Sequence, residues 1–383
     1  MNRPVRLAFL TIDKREFLGN YSKEIPTFGT APEALLQGFA GLEGVEVHVI
    51  SCLQQPVRTV ERLAPNIFPR ALHVPKLGWM RTFYQGCVRA VRRDLAALRP
   101  DIVHGQGTER DCALSAVLSG YPNVLTIHGN MRRVAKANRA RPFSFHWLAA
   151  RLEGFAVRRS DGIVCISEYT RELVKAEARQ TWLVPNAVDA SFFNVPRAAQ
   201  MRHFLVAGTI CAYKNQNHLI QSLDPLAKEG GLHVHFVGDC PEHVPYAQEF
   251  IKLISSRPWC SFSGFANREK LKQFLSESTA LLIPSLEDNC PMVVLEAAAA
   301  GVPSIGSRIG GIPGLIEDGA TGFLFSADDG SALREAVRRL VQHPAEAEHM
   351  GQVAKKKVLQ HFTPAIIARR HLEIYREVLN KDR

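Results

Sequence analysis

No stretch of this sequence stays apolar for long enough to cross a bilayer. Its eight cysteines and fourteen histidines form no CxxC pair, no HExxH and no other metal-ligand spacing, which argues against a zinc site. Cys52, Cys87, Cys112, Cys165, Cys211, Cys240, Cys260 and Cys290 stand mostly in apolar contexts and read as buried, reduced thiols of a cytoplasmic protein. There is no P-loop signature, and neither HGQGTER nor GSRIGGIPG fits GxGxxG after a strand. A P-loop nucleotidase and a dinucleotide-dependent dehydrogenase are therefore unsupported. Low-complexity tracts and short repeats are absent. The opening MNRPVRLAFLTIDKREF runs from a brief apolar stretch straight into charge, and reads as a first strand rather than a signal peptide.

What is present is a regular alternation. A chain of 383 residues is long for one core and comfortable for two. Short β-branched runs at 5–11, 45–50, 101–104, 123–128, 162–166 and 181–185 alternate with helical stretches. A second set follows at 203–208, 232–238, 259–264, 279–284, 302–306 and 322–325. Near-continuous apolar strands separated by helices predict parallel sheets covered on both faces. The expected fold class is α/β, with two doubly wound Rossmann-like domains facing across a cleft. The aperiodic stretch DASFFNVPRAAQ (189–200) marks the break. The domains predicted are 1–192, 193–363 and a terminal amphipathic helix from 364 that returns to the first domain. Ligands in such sheets bind beyond the carboxyl ends of the strands.

Charge is unevenly spread. The net charge is +10. Residues 51–150 hold 15 Lys/Arg against 5 Asp/Glu, and residues 201–383 hold 20 against 20. Segment 83–99 predicts a helix with Val88, Val91, Leu95 and Leu98 on one face and Arg89, Arg92, Arg93 and Arg99 elsewhere. Segment 130–147 mixes Arg132, Arg133 and other basic residues with Phe143, Phe145 and Trp147. Basic residues beside exposed aromatics suit an anionic membrane surface; a solvated helix face over a core cluster is the other reading. No nucleic-acid-binding module appears, so a nucleic-acid partner is not expected.

The most informative segment is PSLEDNCPMVVLEAAAAGVPSIGSRIGGIPG (284–314). It leaves a strand, turns through acidic and amide residues, and starts a helix at Pro291. That helix is apolar on every side except at Glu296. An all-apolar helix is a buried helix, and a buried carboxylate is rarely tolerated unless it is paired or holds a ligand. A helix start attracts anions. A nucleotide, with its phosphates at the helix start and its polyol further along, satisfies both features. A buried helix–helix ion pair would satisfy the carboxylate alone.

With these residues in view, the chain resembles the retaining glycosyltransferases of the GT-B fold, family GT4. That family carries an E-x7-E pair. Asp288 and Glu296 stand at this spacing, with Asp in place of the first Glu. The resemblance implies that Glu296 takes the ribose hydroxyls of a sugar nucleotide and that Asp288 orients the donor sugar. Asn289 and Cys290 fall in the turn whose amides face the donor, and Pro291 replaces a glycine there. In VAGTICAYKNQNHL (206–219), Lys214 matches the diphosphate lysine, while Thr209 stands where the family has arginine. Gly310 and Gly311 match a phosphate-side turn, and nearby Arg308 could assist. Phe265 lies in the segment near the base, where core packing is its alternative role. His128 ends a strand at the position of a histidine near the transferred sugar. Gly29 matches a turn close to the donor phosphates. Glu109 either contacts acceptor or is a helix N-terminal charge, and Arg132 and Arg133 are further acceptor-side candidates. VPNAVD (184–189) resembles a marker before the interdomain linker.

The implied activity is sugar transfer with retention, from a nucleotide sugar to a lipid-linked or glycan acceptor. The implied setting is the cytoplasmic face of the membrane, in surface polysaccharide or lipopolysaccharide assembly. His128, Asp288 and Lys214 would serve catalysis. No DxD follows a strand, so no metal or other cofactor is expected. The alternatives are a catalytically degenerate partner subunit that binds nucleotide or lipid, favoured by Thr209 and Asp288, and a GT-B nucleotide-sugar epimerase or phosphorylase.

Overall fold

Strands of this chain are apolar on both faces, so each sheet must be covered on both sides. The computed structural model describes residues 3–201 and 203–381, apart from the side chain of Ala137. It divides into two units, one running to Ala187 and resuming at Pro364, the other Val188–Thr363.

The first unit holds seven strands: β1 (Val5–Leu10), β2 (Val45–Leu53), β3 (Ile67–His73), β4 (Ile102–Gln106), β5 (Asn123–Ile127), β6 (Gly162–Cys165) and β7 (Thr181–Leu183). Their order is β3-β2-β1-β4-β5-β6-β7, all parallel. The second unit holds β8 (His203–Ala207), β9 (Val234–Val237), β10 (Cys260–Phe262), β11 (Ser278–Ile283), β12 (Ser304–Ser307) and β13 (Gly322–Phe325), in the order β10-β9-β8-β11-β12-β13. Both sheets reverse direction beside their first strand, the arrangement that opens a binding crevice at the strands' carboxyl ends.

Strand β3 corrects the six-strand reading of the first half. Its sequence, IFPRALH, hides a strand because Pro69 cannot donate to a ladder. The strand lies at the sheet edge, paired only to β2, where that loss is tolerated.

The terminal helix Pro364–Lys381 completes the first unit. Leu372, Ile374, Tyr375 and Val378 join Phe9 and Phe39 in its core. Trp182 Nε1 donates to Glu377 Oε2 at 2.7 Å. Gly38, in the helix Thr30–Ala40, makes this docking possible: a Cβ there would lie 2.0 Å from the Pro364 carbonyl oxygen and 2.8 Å from the Ala368 Cβ. Overpacking of this kind destabilises by about 1–3 kcal/mol. Gly38→Val is therefore expected to lower the denaturant midpoint of the first unit by that amount, and an unchanged midpoint would contradict the account.

Candidate active site

In the second unit, three loops leave the carboxyl ends of β8, β11 and β12, and Asp288 ties them together. Lys214 Nζ meets Asp288 Oδ2 at 2.5 Å. The Gly311 amide donates to the Asp288 carbonyl at 2.9 Å. Gly310 has φ +58°, and a Cβ there would sit 1.9 Å from that same carbonyl oxygen. Glycine at 310 thus serves loop-on-loop contact and a left-handed backbone, a job distinct from the ligand approach expected of it. The Leu286 amide donates to the Tyr213 carbonyl at 2.7 Å, joining the lysine loop to the acidic loop a second time.

The lysine loop is braced from within. Gln216 is buried and donates from Nε2 to the Thr209 carbonyl at 2.9 Å. Asn215, at φ +59°, turns the chain into the helix Gln216–Ala227. The Thr209 side chain is exposed. Asn289 and Cys290 are buried in the acidic loop. Phe265 is exposed, so it is no part of the core. Arg308 pairs with Asp318.

Glu296 lies on the buried helix Met292–Ala299 and is 6% exposed. Pro291 is the residue before its first turn. Burial pushes the Glu296 carboxyl from its ordinary 4.5 to about 7; Arg268 pulls it down and Asp189 pushes it up. Arg268 forms its ion pair with Asp189, at 3.0 Å. Among the described residues, the Glu296 carboxyl makes no hydrogen bond or ion pair of its own. Two acids therefore face one arginine. Arg268, and Asp189 of the PNAVD marker, were missed as site residues because their partners are remote in sequence.

In the first unit, His128 follows β5 and its Nε2 lies 2.8 Å from Gln106 Oε1. Gln106 Nε2 reaches His104 Nε2 at 2.9 Å, and His104 Nδ1 meets the Tyr375 hydroxyl at 2.7 Å. Burial, then His371, pushes His128 down to about 4, so it is a neutral hydrogen-bonding group at neutral pH. The wall that runs from His128 to the terminal helix was not legible, because Tyr375 reads as an ordinary core residue.

The acceptor-side candidates separate. Arg132 is held by the fully buried Glu153, at 3.3 Å, and by Glu177. Glu153 also accepts from the Thr108 hydroxyl at 2.7 Å and the Met131 amide at 3.0 Å, so it caps the helix Met131–Ala137. Arg133 lies 5.9 Å from the Tyr169 ring. Glu109, Gly29 and Phe145 line one open cavity of about 810 Å³ at the carboxyl ends of β1, β3 and β4. Of the basic segments, the helix Gln85–Leu98 buries Val88, Val91 and Leu95 and exposes Arg89, Arg92 and Arg93, while Phe143 and Phe145 are exposed. Among the described residues no helix is long and apolar enough to cross a membrane.

Cys52, Cys87 and Asp111 gather their ligand atoms within 4.8 Å, which the sequence spacing did not indicate. The Cys87 hydrogen bond and burial raise the Cys52 thiol well above its usual range, and burial raises Asp111.

Two family models match this chain: Glycosyltransferase Family 4 over residues 33–192, and Glycosyl transferases group 1 over residues 188–357. The chain belongs to glycosyltransferase family 4. This glycosyltransferase is 26% identical over 295 residues to the alpha-maltose-1-phosphate synthase of Mycolicibacterium smegmatis, covering 69% of this chain and 75% of that protein. It is 26% identical over 243 residues to the N-acetyl-alpha-D-glucosaminyl L-malate synthase of Bacillus anthracis, covering 60% of this chain and 63% of that one, just under two thirds of its length. Among solved structures, the sucrose-phosphate synthase of Thermosynechococcus elongatus aligns with TM-score 0.76 at 18% identity, over 98% of this chain and 100% of that one. Anabaena HepE in complex with UDP-glucose aligns with TM-score 0.70 at 16% identity, over 97% and 99%. These likenesses establish the GT-B fold.

The raised Glu296 acid carries a signed consequence. The folded chain keeps a proton that the unfolded chain releases, so stability falls as pH rises from about 4.5 to about 7. Glu296→Gln is expected to flatten that slope in urea unfolding of the second unit measured across this window. An identical slope in the variant would contradict the assignment.

Proposed function

We propose that this glycosyltransferase moves a sugar, with retention, from a nucleotide-sugar donor to a lipid-linked or glycan-precursor acceptor at the cytoplasmic face of a membrane. The observation that carries the donor half is Glu296, a buried carboxylate with no hydrogen bond among the described residues and a half-share in one arginine. Burying such a group without a partner is unfavourable. A ribose diol supplies two hydroxyl donors in the geometry a carboxylate accepts. The solved relative Anabaena HepE binds UDP-glucose, and a uridine nucleotide sugar is the first donor to test.

Lys214 faces the diphosphate in this reading. In the free chain its charge is held by Asp288 at 2.5 Å. Donor binding would bring phosphate to Lys214 and release Asp288 toward the sugar hydroxyls, so one ion pair pre-sets two ligand groups. As the leaving diphosphate gains charge, Lys214 and the loop amides stabilise it without a protein nucleophile or a metal. Thr209 contributes a neutral hydroxyl where an arginine would give charge. His128, kept neutral, holds a sugar hydroxyl. Arg268 neutralises Asp189 and steadies the wall behind Glu296.

The expected outcomes separate binding from chemistry. Glu296→Ala should weaken donor affinity by about tenfold or more, read by calorimetry with UDP-glucose and other sugar nucleotides. Lys214→Ala should lower kcat by about 10- to 1,000-fold with a smaller change in KM. Wild-type donor affinity in the first variant, or wild-type turnover in the second, would overturn the corresponding role. Products showing epimerised nucleotide sugar, or no transfer with any donor, would favour the alternatives of an epimerase or a non-catalytic binding subunit.

A further inference from the structure

The cavity of about 810 Å³ in the first unit has an unusual lining. Lys14, Lys76, Arg81 and Arg110 contribute four cations; among the described residues none of them forms an ion pair, and Arg110 alone lies in the field of acids, Glu109 and the buried Asp111. Its two carboxyls do not balance them. Glu16 already accepts from the Tyr21 hydroxyl at 3.2 Å and the Gln54 amide at 2.9 Å. Glu109 is buried, which raises its carboxyl above its ordinary value, and among the described residues its Oε2 has no hydrogen-bond partner. The excess of unspent positive charge calls for an anion.

Arg110 is presented with care. Its guanidinium lies 4.8 Å from the Phe17 ring and 4.8 Å from the Trp79 ring, with the Tyr84 hydroxyl beside it, so two aromatic faces hold it at the cavity wall. Both walls are rigid. Arg15, 1% exposed, pairs with Asp13 at 2.7 Å and donates to the Lys23 and Arg58 carbonyls at 2.7 and 3.1 Å, which anchors the turn carrying Lys14, Glu16 and Phe17. On the other side Gly78 and Gly86 touch backbone to backbone, and a Cβ at Gly86 would lie 2.4 Å from the Gly78 Cα. Phe83 and Tyr84 have φ +52° and +60°, uncommon for aromatic residues. This corner turns Tyr84 into the core and Phe83 out to solvent.

The rim is apolar where it should be wet. Phe17 is 65% exposed, Leu77 69% and Phe83 56%; Leu18, Met80 and Phe145 are exposed beside them. Exposed aromatic and aliphatic tips around a cationic pocket match a bilayer interface, where hydrocarbon and phosphate lie side by side.

We propose that this cavity is the acceptor site and that it takes the phosphate headgroup of a membrane lipid, with the aromatic rim seated in the bilayer. The inference rests on the glycosyl-transfer reading for the word acceptor. Arg110, Lys76 and Arg81 hold the phosphate, and Phe17, Leu77 and Phe83 enter the acyl region. The surface differs from the basic segments 83–99 and 130–147 that composition alone points to: only their ends, Phe83, Tyr84 and Phe145, belong to it.

The test is sedimentation of the full chain with phosphatidylcholine vesicles, with and without one part in four phosphatidic acid, at low salt. Wild-type protein should bind the anionic vesicles about tenfold or more tightly. Lys76→Glu with Arg81→Glu should remove that preference, and Phe17→Ser with Phe83→Ser should weaken binding to both vesicles. All four side chains are exposed, so the variants leave the core intact. Equal binding to the two vesicles, wild-type binding by both double variants, or displacement from vesicles by equimolar sn-glycerol 3-phosphate would overturn the proposal. Calorimetry of wild-type protein with sugar nucleotides tells the two readings apart. Vesicle binding without donor binding retains the lipid site and removes transfer; donor binding without vesicle binding does the reverse.

Discussion

One arginine shared between two buried carboxylates is the constraint from which the donor half follows. Arg268 closes on Asp189 at 3.0 Å and leaves Glu296 with only its field. A helix as apolar as Met292–Ala299 would pack more comfortably with an aliphatic residue at 296. Retaining an acid there is unfavourable for folding, and in the proposed reading the hydroxyl groups of a bound ribose would offset that penalty. The neighbouring loops show the same economy. Asp288 binds Lys214 by its side chain and the Gly310–Gly311 turn by its carbonyl, so loops from three strands share one anchor.

The two units divide the chemistry by electrostatics. The second is built around single charges placed among apolar helices, each paired or half-paired. The first carries the excess of cations, and around its cavity those cations form no ion pair among the described residues. Where Arg132 is basic but already held by Glu153 and Glu177, its charge is spent on the acid that caps its own helix. Where Arg110 lies between two aromatic rings, Glu109 and the buried Asp111 act on it only through their field and no acid closes onto it as an ion pair among the described residues. A count of basic residues cannot separate these two states, because the difference lies in which acids the fold brings near.

Much of the fold was legible. Apolar strand runs at regular intervals gave parallel sheets, and the loss of periodicity near residue 189 coincides with the change of unit at Val188. Strand β3 was hidden by Pro69, which only an edge position accommodates. As site candidates, Glu296 stood out because it was the one charge on an apolar helix, and Lys214 and Asp288 because they match motifs of the family that the chain resembles. Arg268, Gln216 and Tyr375 were not legible: each acts through a partner distant in sequence, and each alone looks like a surface or core residue. The Gly310 position was legible as a required glycine, but its reason, contact with the Asp288 carbonyl, needed the third dimension.

The central claim is that the buried acid of the second unit is a ribose ligand. The most direct measurement is a crystal structure of this chain with a bound uridine nucleotide sugar. The account predicts both ribose hydroxyls within hydrogen-bond distance of the Glu296 carboxylate, with Arg268 still on Asp189 and Lys214 turned from Asp288 to phosphate. A nucleotide bound elsewhere, with Arg268 closed onto Glu296, would contradict it.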